Sequence, residues 1–112
     1  MKKCFVIKKY REYQEIFHLR KFKRNNKFIV NFRKNDNSLT RVGINVGKKN
    51  GNAVARNKIK RQIRQIVDEC VDYKMNIDLI IAVTKNYKTD EFEDNKIKLT
   101  ELLNSIIGET NE

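Results

Sequence analysis

Apolar and polar residues recur along this chain with two different periods, and the changes of period mark its elements. Between residues 9 and 21, Tyr10, Tyr13, Ile16 and Phe17 fall at spacings of three and four, which predicts a helix. Residues 23–27 are polar and read as a turn. From 27 to 33 the period drops to two. Phe28, Val30 and Phe32 take one face and Ile29, Asn31 and Arg33 the other, as in a strand. Asn35-Asp36-Asn37-Ser38 is a turn by composition. Beyond it, Val42, Ile44 and Val46 alternate with Arg41, Gly43, Asn45 and Gly47, and the two alternating runs are expected to pair as an antiparallel hairpin.

The helical period returns after Asn52, a favourable N-cap residue, and lasts to about residue 73. Ile59, Ile63, Ile66 and Cys70 share one stripe with Val67 at its edge, and Asn57, Arg61, Arg64 and Asp68 lie opposite. Residues 77–84, rich in isoleucine and valine, predict a strand buried on both faces. A last helix is expected from near Asp90, with Glu93 completing a capping box, through Phe92, Leu99, Leu102, Leu103 and Ile106 to a stop at Gly108. A short strand around Phe22 would add a fourth. The expected fold is α+β: a single domain over residues 1–112, with a small, mostly antiparallel sheet of three to four strands flanked by three helices.

Charge sharpens the picture. The net charge is +11, and it is unevenly spread. Residues 1–64 hold 20 lysines and arginines against 3 acids, whereas residues 65–112 hold 5 lysines against 11 acids. The basic part points to one oriented surface for a polyanion. The densest stretch is Lys48-Lys49-Asn50-Gly51-Asn52 and the helix after it, which adds Arg56, Lys58, Lys60, Arg61 and Arg64. Cations in a first helical turn oppose the helix dipole, and no acid at spacing three or four offsets them. A solvated face would normally explain a charge run; here the missing counter-charge favours an external phosphate backbone, with Asn57 able to reach a base edge, sugar or phosphate.

Other chemistry is sparse. Cys4, Cys70 and the lone His18 do not make a zinc site; the two thiols are expected to be reduced, in a cytoplasmic protein, with Cys70 a small core residue. No apolar run reaches membrane-spanning length, and residues 4–7 are too short for a signal-peptide core. The cluster Asp90, Glu91, Glu93 and Asp94 could bind a divalent ion but reads more simply as acids at a helix start. No catalytic constellation is found in the chain.

The segment from Lys48 to Arg64 resembles the signature of the bacterial ribonuclease P protein subunit, Lys-Lys-x-Gly-Asn-Ala-Val-x-Arg-Asn-Arg-x-Lys-Arg-x-x-Arg. It stands here as Lys48-Lys49-Asn50-Gly51-Asn52-Ala53-Val54-Ala55-Arg56-Asn57-Lys58-Ile59-Lys60-Arg61-Gln62-Ile63-Arg64. Lys58 replaces the usual second arginine, keeping charge and losing the forked donor. Arg41-Val42-Gly43 and the early helix with spaced aromatics resemble the family more loosely.

The resemblance implies two RNA surfaces. Lys48, Lys49, Asn52, Arg56, Asn57, Lys58, Lys60, Arg61 and Arg64 would hold the catalytic RNA. Tyr13, Phe17, Asn31, Asn45, Asn57, Lys60, Arg61 and Arg64 would line a cleft for the single-stranded 5′ leader of precursor tRNA. Asn31 stands where the family usually has an aromatic residue, and core packing is the competing explanation for Tyr13 and Phe17. The resemblance also implies a left-handed βαβ crossover, against the usual hand. It places catalysis in the RNA partner, with Mg²⁺ bound mainly there, no metal site in the protein, and no obligate protein partner. The alternative class is a structural, ribosomal-type RNA-binding protein with no part in cleavage; a helix-in-groove DNA binder fits less well, because no second helix closely precedes the basic one.

Overall fold

The computed structural model describes residues 1–110, so the last two residues of the expected domain lie outside the described residues. The elements are α1 (Tyr10–His18), β1 (Phe22–Arg24), β2 (Phe28–Lys34), β3 (Arg41–Asn45), α2 (Ala53–Cys70), β4 (Ile77–Val83) and α3 (Phe92–Thr110). Two 3₁₀ turns, Lys3–Phe5 and Lys48–Asn50, precede α1 and α2.

The four strands form one mixed sheet in the order β1-β2-β4-β3. β2 runs antiparallel to both β1 and β4, and β3 runs parallel to β4. The expected hairpin between β2 and β3 is therefore not formed, because β4 inserts between them. The physical reason lies in β4 itself. Ile77-Asp78-Leu79-Ile80-Ile81 is buried without a break, and a strand buried on both faces also needs hydrogen-bonded neighbours along both edges. The connection from β2 to β3 is also longer than the two-residue turns that favour hairpins. β3, α2 and β4 thus make the parallel crossover for which the family resemblance implies a left-handed path.

The strand alternation holds as read. Phe28, Val30, Phe32, Val42, Leu79, Ile81 and Val83 join Ile59, Ile63, Ile66 and Val67 of α2 and Leu99, Leu103 and Ile106 of α3 in the main core. Among the described residues the other face of the sheet is covered by the short α1 and the segment before it, through Ile16 and Ile7 on Ile80, with Tyr13 and Phe17 beside them. On that second face Asn45 of β3 and Phe22 and Arg24 of β1 stay exposed, and this leaves room for a cleft toward the sheet edges. The segment before α1 runs along the outer edge of β3, where the Ile7 N–H donates to the Val42 carbonyl at 3.0 Å.

Some element ends differ from the sequence reading. α1 ends at His18, three residues early, and Arg20 follows with φ 53°. α2 ends at Cys70, where Val71 turns extended. α3 starts at Phe92, so Asp90 lies in the preceding turn and the Asp90–Glu93 capping box is not made. Gly108 sits within the helix rather than ending it. A glycine costs a helix about 1 kcal/mol, and burial of Leu102, Leu103 and Ile106 just before it carries the helix through.

Candidate nucleic-acid interface

The lead-in to α2 is built for its conformation. The 3₁₀ turn ends at Gly51, whose φ of 117° is open to glycine alone, and an added Cβ there would also stand 2.9 Å from the Ala55 Cβ. Asn52 then caps α2: its side chain accepts from the Ala55 N–H at 2.9 Å and its carbonyl accepts from Arg56. Lys48 and Lys49 flank this start and are exposed, as is Asn52. Among the described residues, none of Lys48, Lys49, Arg56, Lys58, Lys60, Arg61 and Arg64 has a carboxylate within salt-bridge distance. The Nε of Arg56 is buried without a partner, as is the Oδ1 of neighbouring Asn50. Lys48, Lys49, Lys58, Arg61 and Arg64 are therefore exposed, unpaired cations as expected from the sequence, while Arg56 and Lys60 are half-buried at the edge of the core stripe.

A cleft meets this helix. Tyr13, Lys60 and Arg64 line one hollow of about 320 Å³, together with Val6, Ile44 and Met1. Tyr13 lies across β3 because residue 43 is glycine: a Cβ there would stand 2.7 Å from the Tyr13 Cζ and 2.9 Å from its Cε1. Its hydroxyl donates to the Ile7 carbonyl at 3.1 Å, and burial pushes the phenol's pKa up. The Phe17 ring follows at a centroid distance of 6.4 Å. Asn31 and Asn45 lie on this same sheet face, by register with Ile80 and Ala82. Asn45 is exposed, whereas Asn31 is 9 % exposed and offers little surface. Asn57 and Arg61 are exposed on α2 but do not line the hollow. Lys48, Lys49, Asn52, Arg56 and Lys58 likewise stand apart from it, at the α2 start.

The sequence reading missed what holds α1 in place. Asp78, with no solvent exposure, accepts from Arg33 Nε at 3.0 Å, from Arg41 at 2.8 and 3.0 Å, and from Asn35 Nδ2 at 2.6 Å. Arg41 also donates to Glu12 of α1 at 2.6 Å, and Arg33 to Glu15 at 3.1 Å. Burial alone would raise the Asp78 pKa; bonds from Arg41, Asn35 and Arg33 outweigh it and hold the carboxyl below its usual value. The Arg41 guanidinium is raised in turn, first by its bond to Asp78. Two arginines thus tie the acidic side of α1 to the sheet, with the aromatic side carrying Tyr13 and Phe17 turned to the cleft. An acid inside the apolar run of β4 was the available signal.

Two of the four acids near the start of α3 have a protein partner. Glu91 and Asp94 pair with buried Lys27 at 3.0 and 2.8 Å, and Asn95 accepts from the same ammonium at 2.8 Å. Burial would lower the Lys27 pKa, but bonds to Asp94 and Glu91 raise it on balance. Among the described residues, no three His, Cys, Asp or Glu converge as a metal site, and no helix is long and apolar enough to cross a membrane. Cys4 and Cys70 are free; Cys70 is partly buried against the core, which raises its thiol pKa.

An α+β domain with an unpaired cationic helix start beside an aromatic-walled cleft defines an RNA-binding protein, suited to a phosphate backbone on one side and unpaired bases on the other. The sequence profile of the family described as Ribonuclease P matches residues 1–107. The ribonuclease P protein component of Mesoplasma florum is 40 % identical over 105 residues, covering 92 % of this chain and 96 % of that one. That of Mycoplasma mycoides is 48 % identical over 88 residues, covering 77 % and 81 %. The solved ribonuclease P protein of Staphylococcus aureus superposes with a TM-score of 0.80 at 30 % identity, covering 93 % of this chain and 96 % of its own. That of Thermotoga maritima gives 0.76 at 31 %, covering 88 % and 94 %. The chain belongs to the ribonuclease P protein family. It is accordingly the accessory subunit of an endoribonuclease whose RNA carries out catalysis, and it assists removal of the 5′ leader from precursor tRNA. Its partners are the ribonuclease P RNA and that leader, and the holoenzyme uses Mg²⁺. Family membership sets aside the ribosomal-type alternative.

Proposed function

We propose that the chain acts as one domain with a division of labour across α2, in the cytoplasm. Lys48, Lys49, Asn52, Arg56, Asn57 and Lys58 form the surface that docks on the catalytic RNA. Tyr13, Phe17, Asn45, Lys60 and Arg64 form the leader cleft, with Arg61 at its rim and Asn31 contributing little. The observation that carries this reading is the hollow shared by Tyr13, Lys60 and Arg64. An aromatic face and two unpaired cations in one hollow suit a base and its phosphates, with little dependence on sequence.

Mg²⁺ supplies water activation and leaving-group stabilisation in the holoenzyme. It would be bound mainly by the RNA; pairing of Glu91 and Asp94 with Lys27 supports this. What the protein residues do is hold the leader in line and neutralise phosphates where two RNAs crowd together. Cations at that junction lower the repulsion that would otherwise demand more free Mg²⁺.

The test is binding of the reconstituted holoenzyme to precursor tRNA and to mature tRNA. Lys60→Ala with Arg64→Ala is expected to weaken precursor binding by about 2–4 kcal/mol, from charge-assisted contacts of about 1.5–3 kcal/mol each that are not fully additive. Mature tRNA binding is expected to stay unchanged. Equal loss for both would assign these residues to the catalytic RNA instead of the leader.

A further inference from the structure

Phe22 belongs to neither hydrophobic cluster and is 50 % exposed. Its direction is fixed by its neighbour. Lys23 reaches α3, with its ammonium 2.7 Å from the Ser105 hydroxyl and 2.8 Å from Glu109. Successive strand residues alternate, so Phe22 and Arg24 project to the opposite face, the one that carries α1 and the cleft. In the β1–β2 ladder Phe22 stands directly across from Asn31. The cleft face therefore does not end at the nearly covered Asn31 but continues onto an exposed ring one strand further out.

Beside that ring β1 begins, and the last part of β2, still paired with β4, runs on with no strand along its other edge. A hollow of about 570 Å³ opens there around the sheet edge, lined by Arg20, Lys21, Phe22 and Lys34 and, from the α3 side, by Lys23, Phe32 and Glu109. That volume falls within the range of small-ligand sites. Among the described residues Arg20, Lys21, Arg24 and Lys34 have no carboxylate partner, while the acid of the hollow, Glu109, is taken by Lys23. An exposed aromatic ring amid unpaired cations is a poor contribution to folding and a good surface for an unpaired nucleotide.

We propose that this hollow is a second stacking site for single-stranded RNA, with Phe22 as its aromatic surface and Arg20, Lys21 and Lys34 around the phosphates. It rests on the reading of the cleft as the leader site and extends it: the leader, after passing Tyr13 and Phe17, crosses the sheet from β3 toward β1. Three strand spacings separate those edges, about 14 Å, which about four stacked nucleotides would span. The protein then senses leader length as well as leader presence.

The experiment measures affinity of the reconstituted holoenzyme for precursor tRNA with a leader of about two nucleotides, confined to the cleft, and of about ten, enough to reach the hollow. Wild type, Phe22→Ala, Phe22→Tyr and Phe17→Ala are compared, each checked for unchanged circular dichroism. Phe22→Ala is expected to weaken the long leader about tenfold, the worth of one stacked base, and to leave the short one alone, with Phe22→Tyr restoring wild-type affinity. Equal loss at both lengths would overturn the proposal, since Phe22 would then act through the fold or the catalytic RNA. No loss with Phe22→Ala, alongside a loss with Phe17→Ala, would overturn the second site and leave the cleft intact. No loss with either variant would bring down both.

Discussion

At Asp78 a carboxylate without solvent access meets two arginines and an asparagine, and through them it fixes where α1 lies. Removing its charge leaves two guanidinium groups short of a partner, although Glu12 and Glu15 still reach them. Asp78→Asn is expected to cost about 3 kcal/mol of stability, at the low end for a broken buried pair. Its pH dependence has a definite sign. The folded-state pKa lies below the unfolded value of about 3.9, so the contribution is complete above that pH and is lost as pH falls through the lower folded value. Denaturation of wild type and Asp78→Asn across pH should give a constant gap at neutral and mildly acidic pH that closes in strong acid. A gap that opened only at high pH would contradict the assignment. Gly43 illustrates a second residue-scale constraint, legible in part. The Arg41-Val42-Gly43 resemblance flagged it, but only the fold shows that the Tyr13 ring occupies the space of the missing Cβ.

Among the elements, α2 carried most information in its sequence. Its cap at Asn52, its apolar stripe and its unpaired cations all stand as read, because each depends on residues within a few turns. The face assignments of β2 and β3 also hold, since a period of two is a local property. The strand neighbours were misread for the opposite reason. Pairing is settled by which strand must be central, and that follows from comparing β4 with β2 and β3 rather than from any one of them. The mid-strand Asp78 was visible but without meaning until Arg33 and Arg41 were brought beside it by register. The α2 surface makes a quantitative claim of its own. With on the order of six phosphate contacts along the whole helix, the affinity of the free protein for a single-stranded RNA long enough to cover it should fall with salt at a log–log slope of about −4. A slope near zero in a salt titration would contradict an electrostatic interface.

For the molecule as a whole, charge is divided rather than spread. Acids of the C-terminal part serve internal ties, as Glu91 and Asp94 do for Lys27 and Glu69 does for Lys96, while many cations of the first part face outward unpaired. That asymmetry orients the protein on RNA and burdens it when alone, because a net charge of +11 on a small core is self-repelling. An anion that occupies the cationic surface should stabilise the free protein by linkage. Thermal melting in sulfate is expected to give a higher Tm than in chloride at equal ionic strength, and equal values would show that the surface repulsion is unimportant to folding.

The central claim is that this protein lends cations and a leader cleft to an RNA that does the cutting. It is tested most directly by cleavage of precursor tRNA at low Mg²⁺ by a bacterial ribonuclease P RNA, with and without the purified chain. The account predicts faster release of the 5′ leader when the chain is present, and no release by the chain alone. An RNA rate unchanged by the protein, or cleavage by the protein in the absence of RNA, would contradict it.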